Sequence, residues 1–243
     1  MLFSKLNKSN AFIMTINTNL GVGASMTFPT FGGGQLFDID WGDGNFDTAQ
    51  TTSITHTYAS HGIYQLKVTG ILYRVYFNIG GDKDKVVSID NWGIHQWIDM
   101  TRAFAGCSNL VYNATDVPNL SICTNIRQMF NLCPLFNGAI GNWDVSNINN
   151  MFNALRGCTS FNQNLGSWNM ANVNNTSNFL ADIGGSMSTT NYDALLNGWA
   201  SQILQVGNSL TVSGTQYSVA GAAARAYIIS TYGWTISDAG LAP

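Results

Sequence analysis

The sequence predicts an α+β chain of two modules. An N-terminal β-sandwich is expected over residues 1–80, then a solenoid over 81–188 whose ~25-residue units each hold one short helix and one strand. Capping repeats are expected at 189–243. Three observations predict this. Apolar and polar residues alternate between residues 11 and 77, the mark of half-buried strands. A segment of the middle third recurs after 25 residues with apolar positions at helical spacing. The tail holds two further helix-then-strand patterns. The 243 residues, 45% of them apolar, allow one large domain or two small ones.

In the first module Phe12, Met14 and Ile16 alternate with Ile13 and Thr15. Phe37, Ile39 and Trp41 alternate with Asp38 and Asp40. Ile63 to Val68 alternates again, and Leu72 to Phe77 is a further β-rich run. Glycine clusters separate these runs, notably Gly32-Gly33-Gly34 and Gly42-Asp43-Gly44. The string Trp41-Gly42-Asp43-Gly44, then His56-Thr57-Tyr58, then Gly62-Ile63-Tyr64-Gln65-Leu66-Lys67-Val68 resembles the PKD-type immunoglobulin-like domain over about residues 10–75. Gly42 and Gly44 would allow positive φ around the turn. Tyr58 would cover one end of the core and give its hydroxyl to a backbone partner. Asp38, Asp40, Asp43 and Asp47 are calcium candidates, but their spacing does not match an EF-hand, and turn carboxylates accepting backbone N–H groups are the better account. No calcium dependence is therefore expected. His56 is read as a hydrogen-bonded structural residue in preference to an acid–base catalyst.

The second module is defined by repetition. Phe136-Asn137-Gly138-Ala139-Ile140-Gly141-Asn142-Trp143-Asp144-Val145-Ser146-Asn147-Ile148 returns as Phe161-Asn162-Gln163-Asn164-Leu165-Gly166-Ser167-Trp168-Asn169-Met170-Ala171-Asn172-Val173. Cys107, Cys133 and Cys158 stand 26 and 25 residues apart and align the units. Around Cys133 the apolar positions are Cys123, Ile126, Phe130 and Phe136, and the other two units match. Steps of three and four residues place such side chains on one helical stripe. A unit of this size cannot bury its apolar face alone, so neighbours must stack. The four cysteines, with no C-x-x-C pair among them, become small buried fillers on the stripe. Asn142-Trp143-Asp144-Val145-Ser146-Asn147-Ile148-Asn149-Asn150-Met151-Phe152 and Gly157-Cys158-Thr159-Ser160-Phe161-Asn162-Gln163 resemble BspA-type (DUF285-like) leucine-rich-repeat surface proteins over about residues 85–185. Pro118 in place of the repeat Trp and Thr176 in place of the repeat Met depart from that pattern.

In the tail, helices are expected near 191–204 and 220–231, each followed by a strand, at Leu210–Val212 and Trp234–Ile236. Leu195, Leu196 and Trp199 are expected to close the last repeat's apolar face, and a fragment of about residues 82–243 to fold alone.

Composition narrows the function. Charged residues are only 9%, with 13 Asp, no Glu and 28 Asn. A net charge of −3 with scattered Lys and Arg argues against nucleic-acid binding. No run of 18 apolar residues spans a membrane. The apolar stretch Ala11–Ile16 is too short for a secretory leader, so no signal peptide is read. No catalytic constellation, P-loop or His-rich metal motif is found, so no catalytic, cofactor or metal residue is assigned. Binding residues are left unknown. Trp143 and Trp168 recur once per unit, which marks them as core, and Tyr112, His95 and Trp97 are weaker candidates for ligand contact. The expected function is a non-enzymatic surface-displayed binding or structural protein. A bacteriophage virion protein of capsid-decoration or tail-fibre type, located on the virion surface, comes first. A BspA-type adhesin on a bacterial surface is the alternative, and a ligand-free spacer a third. Expected partners are other virion or surface proteins and host-surface glycan or protein, with homo-oligomerisation left open.

Overall fold

A computed structural model describes residues 10–243. Its N-terminal part holds β1 (Phe12–Asn17), β2 (Ser25–Phe28), β3 (Leu36–Asp40), β4 (Phe46–Gln50), β5 (Ile54–Thr57) and β6 (Ile63–Ile71). Beyond it come β7 (Val86–Asn91) and β8 (Val111–Tyr112). One sheet runs in the order β4-β3-β6-β1-β7-β8. It is mixed, because β7 and β8 are parallel while the other neighbours are antiparallel. β2 and β5 form a separate ribbon that covers the sheet, with Phe28 meeting Phe12 at 6.4 Å and Phe37 at 5.7 Å between ring centroids. The alternation has the expected result in β2 and β3, whose Met26, Phe28, Phe37 and Ile39 all enter the core. In central β1 both Phe12 and Ile13 are buried, since neighbouring chain covers both faces there. The run Leu72–Phe77 is not a strand; it is held by single backbone bonds such as Tyr76 N–H to Pro29 O and by the burial of Leu72, Val75 and Phe77.

This overturns the expected fold class. The protein is mostly sheet and turn, the six-stranded sheet crosses the boundary expected at residue 80, and the helix-plus-strand solenoid is not formed. Among the described residues the two α-helices both lie after residue 188, and before them a single 3₁₀ turn occurs, at Lys83–Lys85. Since β7 pairs with β1, a fragment starting at residue 82 would lose its sheet partner, so the structure does not support the autonomy expected for 82–243.

The backbone shows why the repeats are not helical. The chain enters the left-handed region at Arg102, Gln128, Asn153 and Asn178, and again at Gly106, Leu132, Gly157 and Asp182. A right-handed helix cannot pass through such residues. Instead the N–H groups alternate between two uses. Some close turns on the third residue back, as Cys107 N–H to Phe104 O and Leu110 N–H to Cys107 O. Others cross to the next unit, as Phe104 N–H to Met129 O at 2.8 Å, Phe130 N–H to Ala154 O at 2.9 Å and Leu155 N–H to Phe179 O at 3.0 Å. Isolated parallel bridges link Asn125 to Asn150 and Asn150 to Asn175. Turns closing every three or four residues bring side chains to one face at the same intervals as a helix. The stripe is therefore buried as expected, with Cys123, Ile126, Phe130, Cys133 and Phe136 all in the core.

The asparagines are the other half of this construction. Asn147 Nδ2 donates to Ser121 O and Asn172 Nδ2 to Ser146 O, each across one unit. Asn125, Asn150 and Asn175 each accept the N–H two residues ahead through Oδ1. Asp99 and Asp144 do the same work, accepting Thr101 N–H and Ser146 N–H, while Asp116 accepts Trp92 N–H and Gly93 N–H from the preceding unit.

All four cysteines are free and buried. Burial pushes the Cys133 thiol well above its ordinary value and the Cys123 thiol up to about 11. Native protein should therefore react slowly with a thiol reagent at pH 8, and quickly in denaturant. Cys133 Sγ donates to Phe104 O at 3.0 Å, so a serine hydroxyl there keeps a partner. Cys133→Ser should cost about 1 kcal/mol, the low end for a buried polar substitution, read by urea denaturation.

The C-terminal part holds α1 (Thr189–Ala200), β9 (Ser209–Thr211), α2 (Val219–Tyr232) and β10 (Thr235–Ser237). Ser188 and Ser218 cap the two helices by accepting Asn191 N–H and Ala220 N–H. Gly233 ends α2 at φ 65°. Leu195, Leu196 and Trp199 are fully buried, and Trp199 Nε1 donates to Leu165 O in the preceding unit at 3.0 Å. β9 and β10 pair in parallel, and Leu180 bridges to Val212.

Candidate binding surface

The carboxylates of the first module are held by their own turns. Asp38 accepts Ala49 N–H, Asp40 accepts Gly42 N–H, and Asp47 accepts Trp41 Nε1 at 2.8 Å. Asp43 accepts Asn45 N–H and contacts His56 Nε2 at 2.8 Å. Among the described residues no group of three His, Cys, Asp or Glu is placed to hold a metal. The turn needs glycine at residue 42, where φ is 82° and a Cβ would sit 2.6 Å from Gln65 O. His56 stacks on Trp41 at 5.0 Å and meets Tyr58 edge-on at 4.6 Å, while the Tyr58 hydroxyl donates to Trp41 O at 3.0 Å. This is a structural cluster closing one end of the core.

Partial burial works to raise the Asp43 pKa, but the bonds from His56 and Asn45 outweigh it and hold it below its ordinary 3.8. Its contribution to stability is complete above that value and is lost as pH falls through the lower folded one. Asp43→Asn should accordingly flatten the acid limb of the stability–pH curve, measured by Trp fluorescence in urea.

The aromatic candidates divide in the same way. Trp143, Trp168, Trp97 and His95 are buried. Trp168 Nε1 donates to Ile140 O at 2.9 Å, one unit back. Tyr112 is half-buried and receives Trp92 Nε1 at 2.8 Å, and burial raises its hydroxyl pKa. Burial lowers the His95 pKa, which favours the neutral ring, and Phe12 N–H lies 3.1 Å from His95 Nε2. Of these side chains only Tyr112 keeps part of its surface in solvent.

The structure shows a different surface. Along one side of the repeat stack, the Arg127 guanidinium lies 5.3 Å from the Phe152 ring centroid. These two residues, with Asn150 and Asn175, line an open hollow of about 260 Å³. At the N-terminal end of the repeats the Arg74 guanidinium lies 4.6 Å from the Tyr76 ring centroid and 4.9 Å from that of Phe31, which is 57% exposed. Arg74 also meets Asp99 at 3.4 Å and donates to Thr101 O. Sequence reasoning missed these residues, although the cysteine alignment contains the signal. Asp99, Asn125 and Asn150 stand eight residues before Cys107, Cys133 and Cys158, and Thr101, Arg127 and Phe152 stand six before. Attention to apolar positions passed over this outward-facing column.

Among the described residues no helix is long and apolar enough to cross a membrane. No curated protein and no solved structure matches the chain. A family model does match. It is described as "Mycoplasma protein of unknown function, DUF285", and residues 84–209 match it. This is the segment in which the BspA-type phrases and the crossing hydrogen bonds occur. The match takes in more than half of the 243 residues, and the chain belongs to the DUF285 family.

Proposed function

We propose that the protein is a non-enzymatic binding or structural module of BspA type, displayed on a cell surface and contacting glycan or protein partners. The family match over residues 84–209 is the observation that carries this. The neutral composition, with 28 asparagines, agrees with it, since asparagines such as Asn147 and Asn172 build inter-unit bonds without charge. The N-terminal segment is proposed to be PKD-like, on the strength of the Gly42–Gly44 turn and the Tyr58–Trp41 bond. The virion role has no observation of its own and is not carried further. The test is surface labelling of intact source cells with a membrane-impermeant amine reagent. Labelling before lysis is expected, and labelling only after lysis would contradict the proposal.

A further inference from the structure

From the hollow over Arg127 and Phe152 we infer that this face of the repeats binds a linear pyranose polysaccharide laid along the stack. The inference rests on the surface-module proposal for where such a ligand would be met, and on the following geometry for the rest. Rungs of backbone bonded through parallel bridges at Asn125, Asn150 and Asn175 stand about 4.8 Å apart. That is close to the length of one sugar ring in an extended polysaccharide. Each rung thus offers contacts to one residue of the chain.

The side chains suit a pyranose. A sugar ring has an apolar C–H face that packs on an aromatic ring, with hydroxyls around its rim. Phe152 is half-exposed and supplies the ring. Asn150 and Asn175 use Oδ1 to close their turns, and among the described residues their Nδ2 donors have no partner. Arg127 has no carboxylate partner among the described residues, so its donors are free to meet hydroxyls or a uronate carboxylate. Towards the N-terminal end, Tyr76 beneath Arg74 gives a second aromatic position on the same stack. The lining of two amides, one guanidinium and one aromatic ring matches the hydroxyl rim and the C–H face of a sugar.

The experiment is calorimetric titration of the full chain with hexasaccharides of cellulose, chitin, polygalacturonate and hyaluronan. At least one should bind below about 1 mM, and Phe152→Ala and Arg127→Ala should each weaken it about tenfold or more, with Arg127→Lys recovering part of the loss. Ile203→Ser, at an exposed position remote in sequence from this face, should leave binding unchanged. Melting curves check that every variant is folded. Failure of all four oligosaccharides, or binding untouched by both alanine variants, would overturn the inference. Surface labelling of cells is independent of this result, so loss of glycan binding with labelling retained rejects the ligand and keeps the surface role.

Discussion

Gly198→Ala should destabilise the protein by about 2 kcal/mol, lowering the melting temperature by several degrees. The sign is the informative part. Gly198 lies inside α1, where glycine to alanine ordinarily gains up to about 1 kcal/mol of helix propensity. Here the helix backbone rests directly on the preceding unit. A Cβ at residue 198 would overlap the Gly166 carbonyl and stand 2.6 Å from Gly166 Cα. A Cβ at residue 166 would in turn overlap Ala194 O. Two glycines thus set the helix-to-coil distance, and backbone atoms cannot turn aside as a flexible side chain can. The matched control is Ala226→Gly on the exposed side of α2, which should lose about 1 kcal/mol from propensity alone. A Gly198→Ala protein as stable as the parent would mean that α1 does not sit on the last coil as described.

Lys85→Ala should cost about 3–5 kcal/mol, the range for removing one partner of a buried ion pair. Lys85 is fully buried although it sits in a surface turn. Its Nζ donates to Val22 O at 2.8 Å and Ser25 O at 2.6 Å and meets Asp82 at 2.7 Å. Asp82 in turn accepts Thr27 N–H at 2.8 Å. The substitution leaves a carboxylate and two carbonyls without their cation, at the junction of β2 with the start of β7. Lys85→Met keeps the packing of the stem and isolates the charge, so it should lose less than Lys85→Ala. Urea denaturation followed by Trp fluorescence measures both. Parent-like stability of Lys85→Ala would show that the loop before β2 is not anchored through this side chain.

The two examples also show what a sequence can and cannot carry. The alternation at Phe37 to Trp41 and the stripe through Cys133 were legible, because burial follows apolar periodicity whatever the backbone does. The backbone state was not. Three- and four-residue turns repeat their side-chain face as a helix does, and left-handed residues such as Arg102, Gln128 and Leu132 carry no glycine signal. The partner of β7 was not legible either, since β1 lies some seventy residues earlier and only the folded register joins them. Lys85 reads in sequence as one charge in the Asp82–Lys85 cluster, and its burial is decided by two carbonyls contributed from far earlier in the chain, at Val22 and Ser25. At the candidate binding surface, the alignment contained Arg127 and Phe152, but their meeting depends on rungs stacking in parallel.

The central claim is that residues 97–185 are built from turns bonded to the next unit and not from helices. Scalar couplings across hydrogen bonds, measured by NMR on isotope-labelled protein, test it most directly. Couplings are predicted between the amide nitrogens of Phe104, Phe130 and Leu155 and the carbonyl carbons of Met129, Ala154 and Phe179. Couplings from those same nitrogens to the carbonyls four residues back would mean that helices are present and would contradict the account.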